Sequence, residues 1–466
     1  MMEYAVRGLL VQTAEKMEQD LNAGRLEDAS FDKIIYCNIG NPQALDDVSI
    51  TFLRQVLAGT MYPPLLEEEG LFPSDVVERA RKITSSAKVG AYSHSMGIPY
   101  VRQAVADFIE ARDGHAAHPE SIFLTDGASP GISTVIYSLI RSPADGVMLP
   151  VPQYPLYSAT VTAAGGSQVD YFLDEENNWA LDVEELDRSL RDAQQMQGVW
   201  PRALAVINPG NPTGQVMTED NMKDIVQFCA DNRLILLADE VYQENIYDPD
   251  NFPFVSFKKV AMESVPYVRD NLEMFSFHSI SKGMLGECGL RGGYMEAYNI
   301  SRDGMDQLYK NVSVNLCSNT IGQVAVELMV NPPKQGDPSF DLFHKQYYGQ
   351  FESLKRRAAR LVDALNTLDG VSSNPASGAL YAFPSITLPE GVISKAAELG
   401  IEPDTFYCLE LLKATGVCVV PGNGFGQAEG TYHFRTTFLP PEREIESVID
   451  SMRAWHNDFI ASHGGI

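Results

Sequence analysis

The chain has 466 residues, 44% hydrophobic and 21% charged, which are the proportions of a globular protein long enough for two domains and a large core. Its 35 lysines and arginines stand against 62 aspartates and glutamates, a formal net charge of −27 that disfavours nucleic acid and anionic membrane surfaces as partners. Any anionic ligand must be met by a few local cations against an unfavourable overall field.

The six cysteines are scattered and read as reduced thiols, and the eight histidines form no His-x-x-x-His pair, so neither a disulfide framework nor a zinc site is expected. No apolar run approaches the about 20 residues of a membrane span. The first residues lack the charged and apolar regions of a signal peptide. The cytosol is the default compartment, with an organelle the alternative if a presequence has been removed.

Residues 5–26 have the apolar spacing of a helix, an N-terminal arm. A short strand, Ile34-Ile35-Tyr36-Cys37, then runs into an Asn38-Ile39-Gly40-Asn41-Pro42 turn, where Gly40 is either punctuation or a place for backbone to approach a ligand. Helices are expected over 76–85 and 99–112. Between them Tyr92 lies in a flexible segment, either a surface aromatic or a ligand contact.

From residue 121 strands and helices alternate. Ile122-Phe123-Leu124-Thr125 reads as a strand, Asp126-Gly127-Ala128-Ser129-Pro130-Gly131 as a tight turn, and 132–140 as a helix. Small residues at a helix start expose N–H groups and the positive dipole end, a ready phosphate site, although Ser129 also suits a plain N-cap. A strand over 147–152 leads to Tyr154, placed to stack on a flat ring or to join the core. A helix over 156–164, a strand over 169–173 and a polar helix over 183–197 follow.

The next unit is the clearest. A buried strand, 203–207, enters Asn208-Pro209-Gly210-Asn211-Pro212-Thr213-Gly214, and a helix over 219–232 returns to an apolar strand over 234–238 that ends in Asp239-Glu240-Val241-Tyr242. Such a βαβ unit carries polar side chains where open α/β sheets bind ligands. Then comes Ser276-Phe277-His278-Ser279-Ile280-Ser281-Lys282-Gly283, closed by Arg291 in a glycine-rich turn. A lysine held between hydroxyls and glycines suits an amine kept still and partly desolvated, ready to form a Schiff base.

A helical stretch is expected over 303–330, a break at the proline-rich 331–338, and a long helix over 340–368. Strands over 379–383, 417–420 and 432–437 and a terminal helix over 442–460 complete the chain. The glycine turn at 422–426 lacks the strand–turn–helix context of a dinucleotide site.

The Gly-Ala-Ser helix start, Asn-Pro-Thr-Gly, Asp-x-x-Tyr and Ser-x-Ser-Lys with its following arginine, in this order, resemble the fold-type I pyridoxal-phosphate aminotransferases over nearly the whole chain. The Asn38 to Leu45, Asp126 to Pro130 and Gly286 to Tyr294 segments resemble the alanine aminotransferase branch. The resemblance implies an α/β fold: a mainly parallel seven-stranded sheet sandwiched by helices, with a smaller α+β C-terminal domain. The implied division is an arm and part of the small domain in 1–60, a cofactor-binding domain in 61–330 and a small domain in 331–466.

By the same resemblance, pyridoxal 5′-phosphate is the cofactor. Lys282 carries it and moves the proton, Asp239 holds the ring nitrogen's proton, and Tyr242 and Asn211 bond the phenolic oxygen. Tyr154 stacks on the ring. Ala128, Ser129, Ser279, Ser281 and Arg291 hold the phosphate, joined by Tyr92 from the second subunit of a homodimer. Arg435 grips the substrate carboxylate, with Asn211 and Gly40 nearby. The implied reaction is ping-pong exchange between small amino acids and 2-oxo acids: L-alanine and 2-oxoglutarate to pyruvate and L-glutamate. Glutamate–glyoxylate exchange and a lyase of the same fold are the alternatives; a regulator would need an appended DNA-binding segment with a basic face, which the acidic N-terminus does not offer. Asp46 stands where relatives are expected to carry glycine, adding charge near the substrate side.

Overall fold

The computed structural model describes residues 8–26, 29–45 and 49–465; residues 5–7 of the expected arm helix, and Asp46, lie outside them. Its centre is a sheet of seven strands: β1 (Ile122–Thr125), β2 (Asp145–Val151), β3 (Ser167–Phe172), β4 (Trp200–Ile207), β5 (Ile235–Asp239), β6 (Met274–Ser279) and β7 (Gly293–Tyr298). They lie in the order β1-β7-β6-β5-β4-β2-β3. Only β7 runs antiparallel to its neighbours. The mainly parallel seven-stranded α/β fold expected from the sequence is therefore present.

Parallel strands covered on both faces must be apolar on both sides, and every residue of β2 and of β6 is buried. The two-residue period divides them between two cores. Val147, Leu149, Ala203, Ala205 and Phe277 pack with the helix Ala128–Leu139. Met148, Leu204, Val206, Leu236 and Met274 pack with the helix Glu219–Asn232. A third core joins Thr51–Met61, Ser74–Ser86, Pro99–Asp113 and Thr320–Val330 beside β1.

Beyond residue 331, the helix Phe340–Leu365 lies against the terminal helix Glu442–Ser462. The strand Phe434–Thr437 pairs antiparallel with Tyr381–Ala382 on one side and Val420–Pro421 on the other. Near the N-terminus, Ile35–Tyr36 pairs in parallel with Val417–Cys418.

Several elements depart from the sequence reading. The expected single helix over 303–330 is two, Arg302–Ser313 and Thr320–Val330, because Leu316 adopts a positive φ of 67° and Asn319 caps the second by accepting from the Ile321 N–H. The polar helix over 183–197 stops at Asp192, and one π turn, Ala193–Gln197, carries the chain to Gly198. The helices Thr51–Met61, Phe257–Glu263, Pro266–Asn271, Glu390–Leu399 and Pro403–Thr415 and the strand β7 lie where no element was expected.

The helix after β1 starts four residues early, at Ala128, with Gly127 at its cap in a positive φ of 89°. Ser129 is therefore inside the first turn and not the N-cap, and the first-turn N–H groups stay free of intrahelical partners.

Candidate active site

The C-terminal ends of β1, β2, β4, β5 and β6 open onto a cavity of about 390 Å³. It is lined by Gly40, Ala128, Ser129, Tyr154, Asn211, Asp239, Tyr242, Ser279, Ser281, Lys282, Arg291 and Arg435. Every sequence-derived site residue except Tyr92 is thus gathered there. Tyr92 stands 78% exposed and does not line it.

Asp239 closes the floor. It is buried at the end of β5, where its Oδ2 accepts from the Tyr157 hydroxyl at 2.9 Å and its Oδ1 accepts from the Val241 N–H at 3.4 Å. Burial pushes Asp239 up to about 6, against the downward pull of those two bonds and of the Lys282 charge. A buried carboxylate so destabilised is a strong acceptor for a cation placed in the cavity.

Lys282 follows β6 by three residues. Its Nζ donates to the Gly40 carbonyl at 2.9 Å and lies 5.8 Å from the centre of the Tyr242 ring. The turn is held by the Gly283 N–H donating to Asn245 Oδ1 at 2.9 Å, and Gly283 needs its positive φ of 65°. Ser279 Oγ donates to Ser281 Oγ at 3.0 Å, so the two hydroxyls face the cavity as a pair. Arg291 reaches the same end. Its Nη2 donates to the Asp126 carbonyl at 2.6 Å, and a Cβ on Gly127 would lie 2.7 Å from that nitrogen. Two free helix-turn N–H groups, two hydroxyls and a guanidinium in one corner make an anion site.

Arg435 lies across the cavity and is 1% exposed. Its Nη1 donates to Asn211 Oδ1 at 3.0 Å and its Nη2 to the Asn38 carbonyl, while Nε has no partner. The guanidinium carbon lies over the rings of Tyr381 and Phe425, 4.3 and 4.5 Å from their centres. No carboxylate pairs with it among the described residues. A buried guanidinium without a counter-ion is prepared for an anionic ligand.

Tyr157, Tyr381, Asn38 and Phe425 take part in these contacts but were not singled out from the sequence. Tyr157 follows Tyr154 by three residues, across the turn that starts the helix Leu156–Ala163, which is the single sequence cue that both face one region. Nothing local marks Tyr381, whose role depends on Tyr242 from a strand end 139 residues away. Among the described residues no group of three or more His, Cys, Asp or Glu could hold a metal ion, and no helix is long and apolar enough to cross a membrane.

With this geometry in view, comparison with known proteins is decisive. The family described as Aminotransferase class I and II matches residues 63–452. The chain belongs to that family. Over 464 residues it is 52% identical to alanine aminotransferase 1, mitochondrial, of Arabidopsis thaliana, covering 98% of this chain and 85% of that protein. It is 46% identical over 466 residues to glutamate–glyoxylate aminotransferase 2 of the same plant, covering 99% and 94%. The solved alanine aminotransferase from Pyrococcus furiosus superposes with a TM-score of 0.75 at 23% identity, covering 98% of each chain, and so shares the fold. This aminotransferase carries Lys282, the buried Asp239, Arg291 and Arg435 in one cavity.

Proposed function

We propose that this aminotransferase uses pyridoxal 5′-phosphate to exchange the amino group between L-alanine and 2-oxoglutarate, giving pyruvate and L-glutamate. The observation that carries the reading is the buried Arg435, with its unpartnered Nε, facing the same cavity as Lys282 and Asp239. The residues fit the cofactor. Asp239 suits a protonated ring nitrogen, the Ala128–Ser129 N–H groups with Ser279, Ser281 and Arg291 suit a phosphate, and Tyr154 lines the wall where a ring face would rest.

Bound there, pyridoxal phosphate supplies a carbonyl that condenses with amines and a protonated ring that draws electrons from the substrate Cα. Lys282 would hold the cofactor through its amine, and the same amine would take the proton from the substrate Cα as a general base and return one as a general acid. Asp239 would keep its charge by holding the ring proton, and Tyr242 and Asn211 would donate toward the ring oxygen. Arg435 orients the substrate by its α-carboxylate, which brings the Cα–H bond within reach of Lys282.

Supporting the choice of substrates is the identity to the Arabidopsis alanine enzyme; identity to the glutamate–glyoxylate enzyme supports glyoxylate as a second acceptor. We further propose that residues 61–330 form the cofactor domain, with 331–466 and the first 60 residues forming the smaller part. In the same reading the protein is a homodimer in which exposed Tyr92 reaches the partner's phosphate site. The mitochondrial name of the Arabidopsis relative supports an organellar location beside the cytosolic default.

The test is a half-reaction. Cofactor-loaded protein given L-alanine alone should release one equivalent of pyruvate per site, and 2-oxoglutarate added next should yield L-glutamate. No pyruvate without an acceptor would overturn the reading. Borohydride reduction and peptide mapping should label Lys282, and a label elsewhere would remove its assignment.

A further inference from the structure

Tyr381 is 2% exposed, lines the cavity, and belongs to none of the sequence motifs. Its hydroxyl accepts from the Tyr242 hydroxyl at 3.1 Å. Tyr242 in turn accepts from Asn211 Nδ2 at 3.3 Å, and Asn211 Oδ1 accepts from Arg435 Nη1 at 3.0 Å. The Tyr381 ring then lies against that same guanidinium, 4.3 Å from Cζ. The contacts close a loop, Arg435–Asn211–Tyr242–Tyr381–Arg435, that joins the carboxylate-gripping end of the site to the phenol beside Lys282. A methyl group on Gly40 would overlap the Tyr381 hydroxyl, so the backbone opposite leaves room for that oxygen and little more.

A phenol has one proton to donate and two lone pairs to accept with. Tyr242 spends its lone proton on Tyr381 while accepting from Asn211. Turning that proton toward an oxygen in the cavity would leave two phenol oxygens facing each other, unless Tyr381 rotates its own proton onto Tyr242. We infer that Tyr381 is a positioning residue for transamination: it acts as a reserve donor that turns its own proton onto Tyr242 when the Tyr242 proton turns to the cofactor's ring oxygen, and strengthens that bond by the cooperativity of linked hydrogen bonds. The proton count of the pair is unchanged; only the direction of two O–H bonds changes. The Lys282 and Arg435 charges, which stay when the bond between the two hydroxyls reverses, lower the Tyr381 phenol against its burial, while burial raises Tyr242, and a more acidic phenol is the better donor.

This inference rests on the pyridoxal-phosphate reading of the site. Its test uses the holoenzyme and the pH midpoint of the bound cofactor's visible absorbance, which responds to how well charge on the ring oxygen is stabilised. Tyr381→Phe keeps the ring against Arg435 and deletes only the hydroxyl. The midpoint should rise by about 0.5–1 unit, one hydrogen bond's worth, because the alkaline form carries the less compensated charge. The KM for alanine should change by less than about 2-fold, since the grip of Arg435 keeps its partners. Tyr242→Phe should raise the midpoint too, and the double variant should rise no further than Tyr242→Phe alone, because Tyr381 acts through Tyr242. An unmoved midpoint in Tyr381→Phe, or additive shifts in the double variant, overturns the inference. A wild-type protein that binds no cofactor overturns this inference and the proposed function together, whereas a normal wild type with an unmoved variant overturns this inference alone.

Discussion

Tyr157→Phe offers a direct measure of how the site tunes its acid. The substitution keeps the buried ring and removes one hydrogen bond, the 2.9 Å donation to Asp239 Oδ2. A bond from a neutral donor to a charged acceptor contributes about 1.5–3 kcal/mol, which at 1.36 kcal/mol per unit raises the carboxyl by about 1–2 units. Asp239, already at about 6, should then titrate at roughly 7–8. Because the folded value lies above the ordinary 3.8, the unloaded protein has its full stability from this group below 3.8 and loses it as pH rises through the folded value. In the wild type that loss is complete a little above pH 6; in the variant it continues toward pH 8. The assay is the carboxyl resonance of 13C-labelled aspartate in unloaded protein, assigned by its disappearance in Asp239→Asn. At pH 7 the variant's carboxyl is about half to nine-tenths protonated, so the cofactor's dissociation constant should rise by about two- to tenfold. Superimposable titrations of wild type and variant would refute the role given to Tyr157.

Three further outcomes are expected. Arg435→Lys keeps a charge but loses the planar fork that bonds Asn211 and Asn38 together, so kcat/KM for alanine should fall by about 10²-fold, mainly through KM, with the cofactor spectrum retained; an unchanged KM would remove Arg435 from substrate binding. Gly40→Ala would place a methyl group over the Tyr381 hydroxyl and 2.9 Å from Lys282 Nζ, so kcat should drop by at least about tenfold with little change in folding, and a fully active variant would show that the cavity yields there. His278 is neutral because burial, and then Arg112, push it down to about 3 from an ordinary 6.5. Its depressed value costs the fold stability as pH falls below 6.5, so His278→Leu should gain on wild type by about 1.4 kcal/mol per unit between pH 6.5 and 5 in urea unfolding, and a constant gap would show that His278 does not titrate.

The strands were legible where burial on both faces leaves a run of apolar residues, as in 203–207 and 234–238. Helices were legible where one stripe faces a core, as in 219–232, whose expected ends are those of the structure. What failed has a physical pattern. β7 begins among glycines and its apolar residues are interrupted by Glu296, which is buried with Lys258 reaching it at 2.5 Å from the helix Phe257–Glu263. A paired buried charge looks like a surface position in the sequence. The break at 314–319 was hidden for the opposite reason: the apolar residues Val314 and Leu316 keep the helical pattern alive through a segment that is exposed.

The site shows the same division more sharply. Most residues that the motifs revealed sit on a strand end, a tight turn or a helix start, where local chemistry is unusual enough to be seen: a buried strand ending in Asp239, a lysine between serines and glycine, a helix start rich in small residues. The residues that complete those groups are tyrosines and backbone carbonyls with no local oddity. Tyr157 reaches Asp239 across 82 positions and the Asn38 carbonyl reaches Arg435 across 397. A reactive group carries its signature because it departs from what its neighbours alone would favour. Its partners are ordinary residues that become important through distance in sequence and closeness in space, so they enter the argument only when the fold does. Of these, Tyr381 is the clearest instance, since all it contributes is one hydroxyl and one ring face, and both are spent on groups contributed by other segments of the chain.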